Sequence, residues 1–172
     1  ELAMTTIEAL KDAILFECHI TTHLHSKLEG DAFDYRPSED QRSVLELLRY
    51  LSACGIGSLR AMVEGSWTGY TEAMERVQGM EPAGFPAAME RQKMEMEKVF
   101  AGLTNEDLDT KESTLPWGEK VSLGRALMET TLKWLAAYRM QLFLYAKATG
   151  LTDINTANCW AGVDWKEEKE DA

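Results

Sequence analysis

Apolar residues recur at steps of three and four over four long stretches of this chain, and no stretch alternates convincingly with the period of two that a half-buried strand shows. That spacing predicts amphipathic helices. In the first, about 5–28, Ile7, Leu10, Ile14, Cys18, Thr21, His25 and Leu28 make one stripe. The second is predicted over about 39–64, opened by a capping box of Ser38 and Gln41, with Val44, Leu48, Leu51, Gly55, Leu59 and Met62 on one face. Gly55 costs helix propensity there and would admit a neighbouring backbone. A third helix follows Pro86 over about 86–102, and the strongest runs over about 121–148, closed by Gly150. Between the second and third, glycines break up 65–84, where 70–77 reads as a short helix; Thr104 to Leu108 reads as one capped turn. Four such stripes must be buried against one another, which gives a four-helix bundle, with 65–84 long enough for a crossover connection.

Charge narrows the partners. Lys and Arg number 18 against 29 Asp and Glu, a formal net charge of −11, so phosphate backbones and anionic membrane surfaces are repelled. No apolar run approaches the roughly 20 residues of a membrane helix. Cys18, Cys54 and Cys159 are widely spaced and form no Cys-x-x-Cys pair, so neither a disulfide framework nor a zinc knuckle is expected. Met4-Thr5-Thr6 reads as a natural start without a leader, and the expected compartment is the reducing cytoplasm. Residues 165–172 read as an acidic, solvated tail to a single domain over 5–164.

Four pieces, in order, carry a resemblance: DYRPSEDQRSVLELLRYLSACG (34–55), FAGLTNEDLDTK (100–111), LMETTLKWLAAYRMQLFLYAKATG (127–150) and NCWAGVD (158–164). Together they are similar to the DinB/YfiT-like superfamily, which implies an all-α, DinB/YfiT-like four-helix bundle and a plausible homodimer. The family also implies three metal-binding histidines and metal-dependent, thiol-linked transferase activity. Placed residue by residue, the helix 2 ligand falls on Tyr50 and the helix 4 ligands on Trp134 and Tyr138, while Arg139 and Gln141 match the rest of the motif. The indole N–H only donates, and a phenol ordinarily keeps its proton to near pH 10, so these positions favour no metal.

The expected cofactor is therefore none, and the expected site is a small aromatic pocket of Tyr50, Trp134 and Tyr138, with polar tips from the Tyr hydroxyls, Gln141 and Cys54, for a small apolar ligand, or a core that the three aromatics plug. The other reading keeps a divalent metal such as zinc or nickel on relocated ligands, His19 and His23, which share a helix face four residues apart. Cys54, without a neighbouring base in sequence, reads as a buried structural thiol rather than a nucleophile. Paired carboxylates such as Glu95 and Glu97 read as solvated surface, and Met89, Met94 and Met96 as adaptable core. No Gly-rich phosphate loop, Ser-His-Asp arrangement or dinucleotide fingerprint is present.

Overall fold

The structure, a computed structural model, describes residues 6–165. The acidic end from 166 onward, and residue 5 at the expected domain start, lie outside the described residues.

Helix α1 spans Ile7–His25 and is capped by Thr6, whose hydroxyl accepts from the Ala9 amide at 3.2 Å. Helix α2 spans Val44–Glu64. It starts five residues later than the spacing predicts, because the capping box is Ser43 with Glu46 rather than Ser38 with Gln41: the Ser43 amide donates to the Glu46 carboxylate at 2.7 Å, and the Glu46 amide donates to the Ser43 hydroxyl at 3.2 Å. Both pairs satisfy the pattern. The difference is burial, since Val44, Leu47 and Leu48 anchor the later start in the core whereas residues 39–42 are all exposed.

Gly65, at φ +68°, ends α2 in the left-handed region and turns the chain into α3 (Thr68–Val77), which returns along α2. Helix α4 (Phe85–Ala101) follows, then a short α5 (Asn105–Thr110) capped by Thr104 and Asp107. A two-stranded antiparallel ribbon, β1 (Glu112–Thr114) with β2 (Lys120–Ser122), is an element the periodicity misses. At three residues a strand is too short to show alternation; the Leu115-Pro116-Trp117-Gly118-Glu119 turn was its only trace. Helix α6 (Leu123–Leu127) continues through a π-helical stretch, Met128–Leu132, into α7 (Lys133–Ala148), and α8 (Thr156–Ala161) closes the described chain.

The long helices form a four-cornered bundle. Helix α2 packs on α4 and α7, and α1 packs on the same two, so α1 and α2 take opposite corners. Directions follow from the contacts. Along α2, Arg49 and Ser52 meet Met80 just before α4, and Gly55 meets Gln92, so α2 and α4 run parallel. Tyr50 meets Tyr138 whereas Ser58 meets Thr131, so α7 runs against α2. The α1 end, at His25, touches Pro82 before α4, while the amide of Ile7 reaches Asn105 after it, so α1 and α4 are antiparallel. The order is up-down-down-up, and the α3 return is the crossover that makes it possible.

Among the polar contacts that tie the bundle, two involve titratable groups. Arg139 on α7 is buried and donates through Nε and Nη2 to the two carboxylate oxygens of Glu17 on α1, at 2.8 and 3.2 Å; it also donates to the Cys159 sulfur at 3.5 Å and lies beneath the Trp160 ring. Removing the acid would strand a buried cation. Glu17→Gln is expected to cost about 3 kcal/mol in a denaturant titration, and a cost below about 1 kcal/mol would place Arg139 in solvent.

His25 Nε2 sits 2.8 Å from the Pro82 carbonyl and its ring lies against Phe33 and Phe85. Burial pulls the His25 pKa below 6.5, more strongly than the Pro82 carbonyl pulls it up, and burial also lowers that of His23. In the unfolded chain both take up protons at a higher pH than in the fold, so stability rises with pH through this window. Unfolding free energy is expected to fall as pH drops from about 7 to 5, and less steeply in His25→Gln; identical slopes would remove the histidine from the titration.

Candidate functional site

Between residues 51 and 59 every position of α2 is buried, because α3, α4 and α7 close around it. The sequence supplies the small side chains this requires: Ser52, Ala53, Cys54, Gly55, Gly57 and Ser58. A Cβ on Gly55 would lie 3.0 Å from Gln92 Oε1, 3.1 Å from Met96 Sδ and 3.2 Å from a Leu135 methyl. The glycine thus admits side chains from two helices, where the sequence suggested a backbone. Gln92 fills the space: its Oε1 accepts from the amides of Gly55 and Ile56 at 2.9 and 3.1 Å, and its Nε2 donates to the Leu51 carbonyl at 2.8 Å. Leu51 C=O and Gly55 N–H are the pair an α-helix bonds to itself, so Gln92 clamps one turn of α2.

Gly57 does the same for α3. A Cβ there would fall 2.8 Å from Tyr70 Cδ2 and 3.1 Å from the Tyr70 Cα. This close approach seats Tyr70 beside the stripe of Leu47, Tyr50, Cys54 and Gly57. On the opposite wall, the π-helical stretch precedes Trp134 by two residues, and Thr131 within it meets the Ser58 hydroxyl at 3.0 Å.

The result is an aromatic cluster at the three positions where the family resemblance expects ligands. The Tyr50 and Tyr138 rings meet edge to face with centroids 4.6 Å apart. Tyr70 presents an edge to Trp134 at 6.5 Å and to Trp67 at 5.3 Å. Trp67 and Trp134 face each other at 6.5 Å, their planes within 25°. The Arg42 guanidinium lies over Tyr50 at 4.2 Å and over Tyr138 at 5.5 Å.

Of the five side chains expected to form the pocket, Tyr50, Tyr138 and Cys54 are neighbours, and Trp134 joins them through Tyr70. Gln141 is committed elsewhere, donating to the Tyr145 hydroxyl at 2.6 Å. Three contributors, Arg42, Trp67 and Tyr70, have no counterpart in the sequence reading. The available signal is Gly57, a second position on α2 without a side chain, whose space some neighbour has to fill.

Electrostatics at the cluster keep its groups neutral. Burial pushes the Tyr50 hydroxyl far above the usual phenol range, with the Cys54 thiol and the Tyr70 hydroxyl beside it adding to the shift. Burial also raises the Cys54 thiol well above its ordinary value, against a smaller lowering by the Arg42 charge, and lifts Tyr70. A divalent metal needs lone pairs from imidazole, thiolate, phenolate or carboxylate; here the donors are an indole and two phenols, one of them held firmly protonated. The residues at these positions do not fit a metal.

His19 and His23 are held by other contacts. The His19 ring stacks on Phe16 at 5.7 Å and lies against Gly162. His23 Nε2 faces the Asn158 side-chain amide at 3.0 Å, and Asp164 stands 3.7 Å away. Among the described residues, no three His, Cys, Asp or Glu side chains gather into a set able to hold an ion. Cys18 is equally enclosed, its thiol pushed up to about 12 by burial, and all three cysteines are free and buried. No helix among the described residues is long and apolar enough to cross a membrane.

No family model and no curated protein matches the chain. A solved structure does: the crystal structure of a DinB-like protein, YjoA, from Bacillus subtilis matches with a TM-score of 0.65, covering 85% of this chain and 95% of that one at 20% sequence identity. A likeness at that identity is one of fold. The chain is an all-α protein with the DinB-like helical bundle, as the resemblance in its sequence implied.

Seating of α3 is the element on which the cluster depends. Gly57→Ala is expected to lose about 1–2 kcal/mol, because overpacking of ~2–3 kcal/mol outweighs a helix-propensity gain of ~1 kcal/mol, and to weaken the near-ultraviolet dichroism of the aromatic cluster. A variant as stable as the parent with unchanged dichroism would mean that α3 does not dock on Gly57.

Proposed function

We propose that this chain is a DinB-fold protein that works without the family's metal centre and binds a small, planar, largely apolar ligand on its aromatic cluster. The observation that carries this reading is the pair of near-parallel indoles. The ring centroids of Trp67 and Trp134 are 6.5 Å apart, close to the roughly 7 Å that two ring-stacking distances of ~3.5 Å require for an inserted ring. Trp67 is 40% exposed and Trp134 half-buried, so both rings are in part accessible from solvent. Tyr50, held protonated by burial, packs edge to face with Tyr138 in the same cluster, which favours an apolar body over a hydrated cation.

Two measurements test this. Elemental analysis of protein purified without chelator is expected to show no stoichiometric zinc or nickel; stoichiometric metal lost in His19→Ala and His23→Ala would instead make the chain a metal-dependent enzyme with relocated ligands. Titration with a planar bicyclic compound such as 2-naphthamide, followed by calorimetry, is expected to give saturable binding that Trp134→Ala weakens at least tenfold. An absence of binding at millimolar concentration would reduce the cluster to a plug that extends the core. Light scattering on the same samples reads the copy number, which the family resemblance puts at two.

A further inference from the structure

Arg42, unlike Arg49, which also lacks an acid partner but donates to the Met80 carbonyl at 2.8 Å, has its guanidinium on two tyrosine faces. Arg36, Arg60, Arg76, Arg125 and Arg139 each meet a carboxylate within 3.2 Å. Arg42 has no carboxylate within ion-pair distance among the described residues, in a protein whose acids outnumber its bases by eleven. Its guanidinium rests on the faces of Tyr50 and Tyr138, which leaves its in-plane N–H groups uncommitted to protein acceptors. Arg42 precedes Ser43, the N-cap of α2, so its backbone is fixed by the capping box while its side chain remains exposed.

We propose that the ligand is an anion, a planar aromatic carboxylate whose acid group is taken by Arg42 while its ring enters the slot between Trp67 and Trp134. This rests on the aromatic-site reading above and adds the charge of the ligand to it. The chemistry is complementary at both ends. A guanidinium offers two parallel N–H groups to the two oxygens of a carboxylate. The rings beneath Arg42 hold the cation in place and keep water from one of its faces, which strengthens its attraction for an anion relative to a freely solvated arginine. Selectivity follows as well: at a net charge of −11 the remainder of the molecule repels anions, so one lacking a ring to stack gains little here. Burial raises the Tyr70 hydroxyl, which therefore stays a protonated donor at neutral pH.

The test compares 2-naphthoate with its neutral carboxamide, 2-naphthamide, by calorimetry at low and at physiological salt, in the parent, Arg42→Gln and Arg42→Lys. The parent is expected to bind the carboxylate at least tenfold more tightly than the amide, with the advantage shrinking as salt rises. Arg42→Gln is expected to erase the carboxylate's advantage over the amide, with far-ultraviolet dichroism and a cooperative thermal transition showing that the variant is folded. Arg42→Lys should recover part of the preference, since it keeps charge without the planar fork. Equal affinities in the parent, untouched by Arg42→Gln, would overturn the anion inference and leave the aromatic site standing. No binding of either compound would overturn both.

Discussion

Everything in this molecule is arranged around a helix with no solvent face along its middle. From 51 to 59, α2 is enclosed by α3, α4 and α7, so its side chains must be small and its polar atoms must be answered from within. Gln92 answers Leu51, Gly55 and Ile56; the Ser58 hydroxyl answers Cys54 and meets Thr131. No buried side-chain nitrogen or oxygen among the described residues is left without a partner. Glycine on both sides of Ile56 sets how near the neighbours come, and from that nearness follow the seat of α3, the crossover and the crowding of rings at one end of the α2–α7 wall.

Much of the fold was legible because helix stripes write themselves into sequence at a period of three to four. The long helices fall close to their predicted spans, and Thr104 caps its short helix as expected. What escaped was local or non-periodic. Two capping boxes compete before α2, and only burial of Val44, Leu47 and Leu48 decides between them. The β1–β2 ribbon is too short for any period to emerge. The Glu17–Arg139 pair joins residues 122 positions apart, and nothing in the spacing of either helix pairs them.

The candidate site was half legible. Tyr50, Trp134 and Tyr138 came from the family resemblance, and the α2 stripe placed Cys54 with them. Gln141 follows Tyr138 by three residues on α7 yet bonds one turn along to Tyr145, since helical spacing specifies a direction and not a neighbour. Trp67, Tyr70 and Arg42 belong to the site through tertiary approach alone: the first two arrive on the returning α3, and Arg42 folds back from the residue before the α2 cap.

Low polarity at the cluster has two opposite chemical effects, and together they define what the site can do. A phenol or thiol beside Tyr138 must pay the cost of ionising in surroundings that cannot solvate the product, so Tyr50 and Cys54 stay protonated and are poor ligands and poor nucleophiles. A guanidinium behaves differently, because it remains charged across the physiological range and its planar face is compatible with aromatic rings. Medium that silences the acids therefore strengthens the field of Arg42. In the reading proposed above, the aromatic residues at the three positions replace coordination by lone pairs with a way of holding a ligand in which ring faces supply the contact area and a single fixed charge supplies the orientation.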